Sequence, residues 1–241
     1  MIFQTIIFLL FFNPFPLFAE PNLPRASIDE ELTAARERLE AFNQGLSFKE
    51  RKILNATRVS EKQNLSPSLR RLYDERQDLK RKLEHWDDVV HLKKEILSLP
   101  VAPGGPELDR RRRETEADRI ARMAIDGFSE LRGKYEMIRP ALFHNLLVNM
   151  KIKGEGLCWQ WARDMIIRLK TLDLKEYDLH WASAREGTIR EHNTVVVSSR
   201  GMPLEEGLFL DGWKYSGKPF WMRVKEDKKH PWKPGRPYGL E

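Results

Sequence analysis

The 241-residue chain contains one cysteine, Cys158. That excludes an intramolecular disulfide, and with it the small disulfide-stapled folds common among secreted proteins. The histidines, His85, His91, His144, His180, His192 and His230, stand in no Cys/His spacing of the zinc type, and no glycine-rich phosphate loop occurs. Neither a metal centre nor a nucleotide site is expected, and the expected cofactor complement is none. Long apolar runs are missing too. The longest, residues 6–12, has seven residues and is too short to cross a bilayer. An excess of one sign of charge is slight. A net charge of +6 suits an anionic cell-wall or membrane surface and gives no case for a nucleic-acid partner.

What is present begins with that apolar run. It leads into Asn13-Pro14-Phe15-Pro16-Leu17-Phe18-Ala19, with no charged side chain before Glu20. The prolines break the run and Ala19 is small enough to precede a cut, so residues 1–19 read as a secretory signal peptide. The expected location is periplasmic or secreted, with no stable membrane span after cleavage. An unpaired thiol is a liability in an oxidising compartment, so keeping one there points to use.

Residues 100–106 form a dense Pro/Gly cluster between long periodic segments and divide the chain. Residues 20–99 read as a helical arm. Ser27 and Glu30 make a capping box ahead of a stripe of Ile28, Leu32, Ala35, Leu39 and Phe42, and Ser47 with Glu50 offers a second start. Ser66-Pro67 opens the longest helix, where Leu69, Leu72, Leu79, Leu83, Trp86, Val90 and Leu97 fall on heptad a and d positions. A projecting coiled-coil arm and a bundle packed on the following unit both satisfy this pattern. Either way the arm is a surface for a possible protein partner and carries no catalytic cluster. Arg110 to Arg113 is read as a solvated helix face, with Asp109, Glu114 and Glu116 as nearby ion-pair partners.

The second unit, residues 107–241, holds the chemistry. Gly154-Glu155-Gly156-Leu157-Cys158 is a glycine-marked turn entering an amphipathic helix with Cys158, Ala162, Met165, Ile166 and Leu169 on one face. A thiol at that tip meets unpaired N–H groups and the positive end of the helix dipole, which favour thiolate. Three strand-like runs follow, at residues 178–184, 192–199 and 207–211. If the last two form a hairpin symmetric about Gly201-Met202, His192 lies directly opposite Asp211, and a carboxylate there can orient an imidazole. The thiolate would attack an acyl carbon, His192 would shuttle the proton and Asp211 would fix its tautomer. The backbone N–H of Cys158 is one oxyanion donor, and Asn145, Asn149 and Gln160 are candidates for a second. His180 is a rival base on the first strand. Six of the seven tryptophans fall between Trp159 and Trp232, where they can fill the core or line a groove.

The motifs Gly156-Leu157-Cys158-Trp159-Gln160-Trp161-Ala162, Glu191-His192-Asn193-Thr194-Val195-Val196-Val197 and Leu210-Asp211-Gly212-Trp213 resemble the papain-like superfamily of thiol enzymes, its transglutaminase-like branch above all. The resemblance covers roughly residues 135–225. It implies an α+β fold, a helix on an antiparallel sheet, with Cys158 as nucleophile, His192 as base and Asp211 as orienting acid. The glutamine that papain relatives carry before the nucleophile has no counterpart, since Ile152 occupies its place. The function expected is an exported amide hydrolase or acyltransferase working through a thioester, with peptide or peptidoglycan stem-peptide amides as substrate. The alternative is a non-catalytic adaptor whose arm binds a partner.

Overall fold

Helix starts sit where the caps predict them. α1 (Ile28–Gly45) opens on Ser27, whose Oγ accepts the Glu30 N–H at 3.2 Å while Glu30 Oε2 accepts the Ser27 N–H at 2.7 Å. α2 (Phe48–Ala56) repeats the box with Ser47 and Glu50, and after a 3-10 turn Ser66 caps the 31-residue α3 (Pro67–Leu97). Such caps contribute about 1 kcal/mol each, enough to fix where a helix begins. The computed structural model describes residues 26–102 and 109–238. The expected signal peptide and most of the linker lie outside the described residues.

α4 (Arg110–Lys134), α5 (Ala141–Asn149) and α6 (Cys158–Lys170) come next, and then β1 (Tyr177–Ala184), β2 (His192–Ser199), β3 (Leu208–Tyr215), β4 (Lys218–Arg223) and β5 (Lys233–Pro234). The described strands form one open, antiparallel sheet in the order β4-β3-β2-β1-β5, packed against α6. The α+β class expected from the sequence is the class observed. β2 spans the expected residues and β1 starts one residue early. β3 runs on to Tyr215, and β4 and β5 are additional to the three expected strands. Pro219 sits near the start of β4, which is tolerated because β4 is an edge strand, and Pro234 lies in β5 at the other edge.

Alternation along the strands feeds two cores. Val195, Val197, Leu208 and Leu210 face α6 and join Met165, Ile166 and Leu169, while Ala182, Ala184, Val196 and Phe209 turn to a second cluster with Leu204, Val224 and Trp232. The first cluster does not stop at the linker. Ile28, Leu32, Val89, Val90, Leu92, Ile96 and Leu99 belong to it together with Ile120, Ala124, Phe128 and Trp161. Of the two arrangements left open for the arm, its near half is therefore a bundle packed on the second unit. Its far end keeps a small cluster of its own around Leu46, Leu54 and Tyr73.

One expectation about charge is corrected. Arg110, Arg111 and Arg112 are solvated, but Arg113 is buried and donates to Ser199 Oγ at 2.9 Å and to the Leu99 carbonyl at 2.8 Å, with its guanidinium 4.9 Å from the Tyr177 ring centre. Glu116, expected as its ion-pair partner, is buried too and accepts the N–H groups of Lys175 and Glu176, both at 2.8 Å. An i,i+3 pair on one helix was the local solution; the tertiary fold uses both groups to satisfy backbone that has left its helix or strand.

A chain lacking residues 20–99 is expected to aggregate. Its loss uncovers apolar side chains of α4, of which Ile120 and Ala124 are fully buried. Soluble yield beside that of full-length Cys158→Ala protein checks this, and a soluble, folded truncation would show that the two units are independent.

Candidate active site

The turn before α6 is held by two side chains, His144 and Gln160. Gly156 has φ +120°, and an added Cβ would lie 2.3 Å from His144 Nε2. His144 is fully buried; its Nδ1 accepts the Ile138 N–H at 3.2 Å, which leaves Nε2 to donate to the Glu155 carbonyl at 2.8 Å. Gln160 Oε1 accepts the N–H groups of Gly156 at 2.7 Å and Leu157 at 2.9 Å, so it serves the turn itself. No hydrogen bond engages the N–H groups of Cys158 and Trp159 among the described residues, as the open first turn of a helix requires.

Cys158 is the first residue of α6 and is buried, with Sγ 3.8 Å from the Glu191 carbonyl, next to His192 at the start of β2. His192 Nε2 donates to Asp211 Oδ2 at 2.8 Å. Among the described residues nothing completes a hydrogen bond to Nδ1, although the Cys158 sulfur is close enough to raise the ring's proton affinity. Nδ1 is the nitrogen left to meet the thiol. Burial works against a charged ring, yet Asp211 and then Cys158 outweigh it and lift His192 to about 10. Asp211 is itself buried, which opposes ionisation, but His192 and the N–H groups of Lys214 and Trp213 keep it charged, below its ordinary value.

The hairpin register differs from the expected one. Val195 pairs Leu210 and Val197 pairs Leu208, a shift of two residues that places Trp213 rather than Asp211 at the level of His192. The connection from β2 to β3 contains a 3-10 turn, Leu204–Glu206, whose Leu204 is buried in the second cluster, and this draws the returning strand along. A shift of two keeps every side chain on its face, so Asp211 still reaches His192 diagonally; a shift of one would have separated them. β3 is irregular relative to β4 between Asp211 and Tyr215, and there Asp211 Oδ1 accepts the N–H of Trp213 at 2.8 Å and of Lys214 at 3.0 Å.

The other candidates separate cleanly. Asn145 Oδ1 accepts Trp213 Nε1–H at 2.9 Å, and the Trp213 ring lies 4.9 Å from His192, so Asn145 belongs to the rim of the site. Asn149 is exposed at the far end of α5. His180 gives Nε2 to Ser198 Oγ at 2.7 Å, is held below its ordinary value by burial, and is under the influence of Asp178 and Glu205 rather than Cys158. It is not positioned as the base.

Three features went unnoticed in the sequence. His230 lies 5.5 Å from His192, its Nδ1 donating to Asp227 Oδ2 at 2.8 Å, and Trp232 Nε1–H shares that oxygen at 3.1 Å. Trp232 in turn lies 5.4 Å from His192, and both side chains are buried. The chain end then follows the β1 edge, with the Gly235 N–H donating to the Trp181 carbonyl, and brings Tyr238 beside Trp159 and Trp181. The Tyr238 hydroxyl donates to Glu191 and is raised above its ordinary value first by that bond, with Cys158 among the weaker contributors.

Among the described residues no His/Cys/Asp/Glu group could hold a metal ion, and no helix is long and apolar enough to cross a membrane. No family model matches the chain, and no curated protein or solved structure matches it either.

Two outcomes are expected. Gly156→Ala should cost roughly 1–3 kcal/mol for the forced positive φ alone, measured by denaturant unfolding, and should slow alkylation of Cys158 because the turn must release His144. Asp211→Asn should bring the His192 titration down toward the ordinary imidazole range, followed by NMR of the ring protons. The raised value stabilises the wild-type fold below about pH 6.5 in full, and that contribution fades as pH climbs through about 10. An unchanged His192 titration in the variant would remove Asp211 as the cause.

Proposed function

We propose that the chain is a thiol-dependent amide hydrolase or acyltransferase with a papain/transglutaminase-like arrangement, exported and acting on peptide or peptidoglycan stem-peptide amides. One observation carries the reading. A thiol on the first turn of a helix adjoins an imidazole whose far nitrogen is fixed by a buried carboxylate at 2.8 Å, leaving the near nitrogen free. This is the division of labour that nucleophile, base and orienting acid require.

In the reaction Nδ1 holds the proton given up by the Cys158 thiol, as the raised His192 favours, while sulfur bonds to the amide carbon. The resulting oxyanion faces the N–H of Cys158, and the Asn145 amide, its oxygen already held by Trp213, is the second donor we assign. Collapse breaks the C–N bond, and the imidazolium protonates the departing amine. Water or a second amine then attacks the thioester, passes its proton to Nδ1, and restores the thiol as the C–S bond breaks. Asp211 stays ionised throughout and stabilises the imidazolium.

An activated acyl ester tests the chemistry directly, with acylation followed by intact-protein mass. Wild type should gain one acyl group, Cys158→Ala none, and His192→Ala should acylate about 10²–10⁴-fold more slowly. Asn145→Ala should lower the rate with less effect on alkylation by iodoacetamide, which forms no oxyanion. Acylation of His192→Ala at the wild-type rate would dismiss the triad and leave the adaptor role standing. Added primary amine separates transfer from hydrolysis by the product formed.

A further inference from the structure

α5 carries its polarity reversed. His144 and Asn145 point inward to the Cys158 turn and to Trp213, while Leu142, Phe143, Leu146 and Met150 occupy one outward arc of about 100° at 100° per residue. These four and the neighbouring Ile152 are each 46–73% exposed, so five large apolar side chains within eleven residues face solvent. Such a contiguous patch on a water-soluble surface calls for a partner.

The charges around it say which kind. From Met137 to Lys153 there is no acidic residue. Arg139 and Lys151 are exposed, one at each end of the helix, and neither has an ion-pair partner among the described residues; Lys153 pairs with Glu136. An apolar face flanked by free cations fits a lipid surface bearing negative headgroups. It does not fit a second copy. A two-fold pairing of α5 sets Arg139 against either Lys151 or its own counterpart, bringing like charges together over the apolar contact.

We propose that α5 docks this face into the interfacial layer of an anionic membrane, the side chains of Leu142, Phe143, Leu146 and Met150 entering the acyl boundary while Arg139 and Lys151 meet headgroup phosphates. Because His144 and Asn145 lie on the opposite side of the same helix, docking holds the Cys158 turn about one helix diameter, ~10 Å, from the lipid. The site then meets amides presented at a membrane surface. This assignment rests on α5 alone, so it stands or falls independently of the thiol chemistry.

Co-sedimentation with vesicles tests it, comparing phosphatidylglycerol mixed into phosphatidylcholine with phosphatidylcholine alone. The full chain is used in every arm, so that a difference between variants reports α5. Wild type should bind the anionic vesicles, more weakly as salt rises. Leu142→Glu with Leu146→Glu, and separately Arg139→Glu with Lys151→Glu, should weaken binding roughly tenfold or more. Every changed residue is exposed, and an unchanged rate of Cys158 alkylation verifies that the fold persists. Variants that bind like wild type, or a wild type that stays in the supernatant, would overturn the proposal. So would a wild-type dimer in light scattering that Leu142→Glu with Leu146→Glu dissolves, since the face would then belong to a second copy.

Discussion

The Asp211 carboxylate is the interaction on which the site's geometry depends. Burying an anion costs several kcal/mol unless its oxygens are satisfied, and here both are. Oδ2 takes the His192 Nε2–H and Oδ1 takes two backbone N–H groups, from Trp213 and Lys214. Those N–H groups come from the irregular stretch of β3, so the local departure from the ladder and the fixing of the imidazole are one event. Gly212 makes it possible for another reason: a Cβ there would lie 2.4 Å from Phe128 and 2.6 Å from Trp161, and only a bare backbone passes this close to the core.

Ties of the same sort join helices and sheet. Arg113 collects carbonyls at the end of α3 and the Ser199 hydroxyl at the end of β2, where a cation also complements the helix dipole. Glu116, one turn along α4, accepts the backbone that enters β1. Both groups are buried and both are answered by several partners, so removing either would strand polar backbone rather than lose one surface ion pair. They explain why the arm's near half and the sheet share a single apolar cluster across the Pro/Gly break.

Local signals were legible in the sequence wherever the structure is decided locally. Ser27, Ser47 and Ser66 mark helix starts because a side-chain cap needs four consecutive residues and nothing else. The apolar stripe of α6 and the bounds of β2 were legible for the same reason. The hairpin register was not, because it is set by where Leu204 buries, a tertiary contact that turn residues do not encode. Asp211 stands before Gly212, a residue type and place that suit a turn former as well as a partner for His192. Its two oxygens do both, a combination that no single-residue preference conveys. His230 and Tyr238 reach the site through an edge strand of two residues, and so short a strand leaves no periodic trace.

The two halves of the site are anchored separately. Cys158 is placed by the turn that His144 and Gln160 hold, whereas His192 and Asp211 are placed by the sheet; their separation is therefore set by how α6 packs between sheet and α4. That packing is tight, since a Cβ on Gly127 of α4 would come within 3.0 Å of Met165 on α6. α5 bridges both halves, through His144 to the thiol turn and through Asn145 to Trp213 beside the imidazole. The apolar side chains of its outer face, Leu142, Phe143 and Leu146, are exposed. α5 therefore joins its exposed face, on one side, to the turn that carries the thiol and to the tryptophan beside the imidazole on the other.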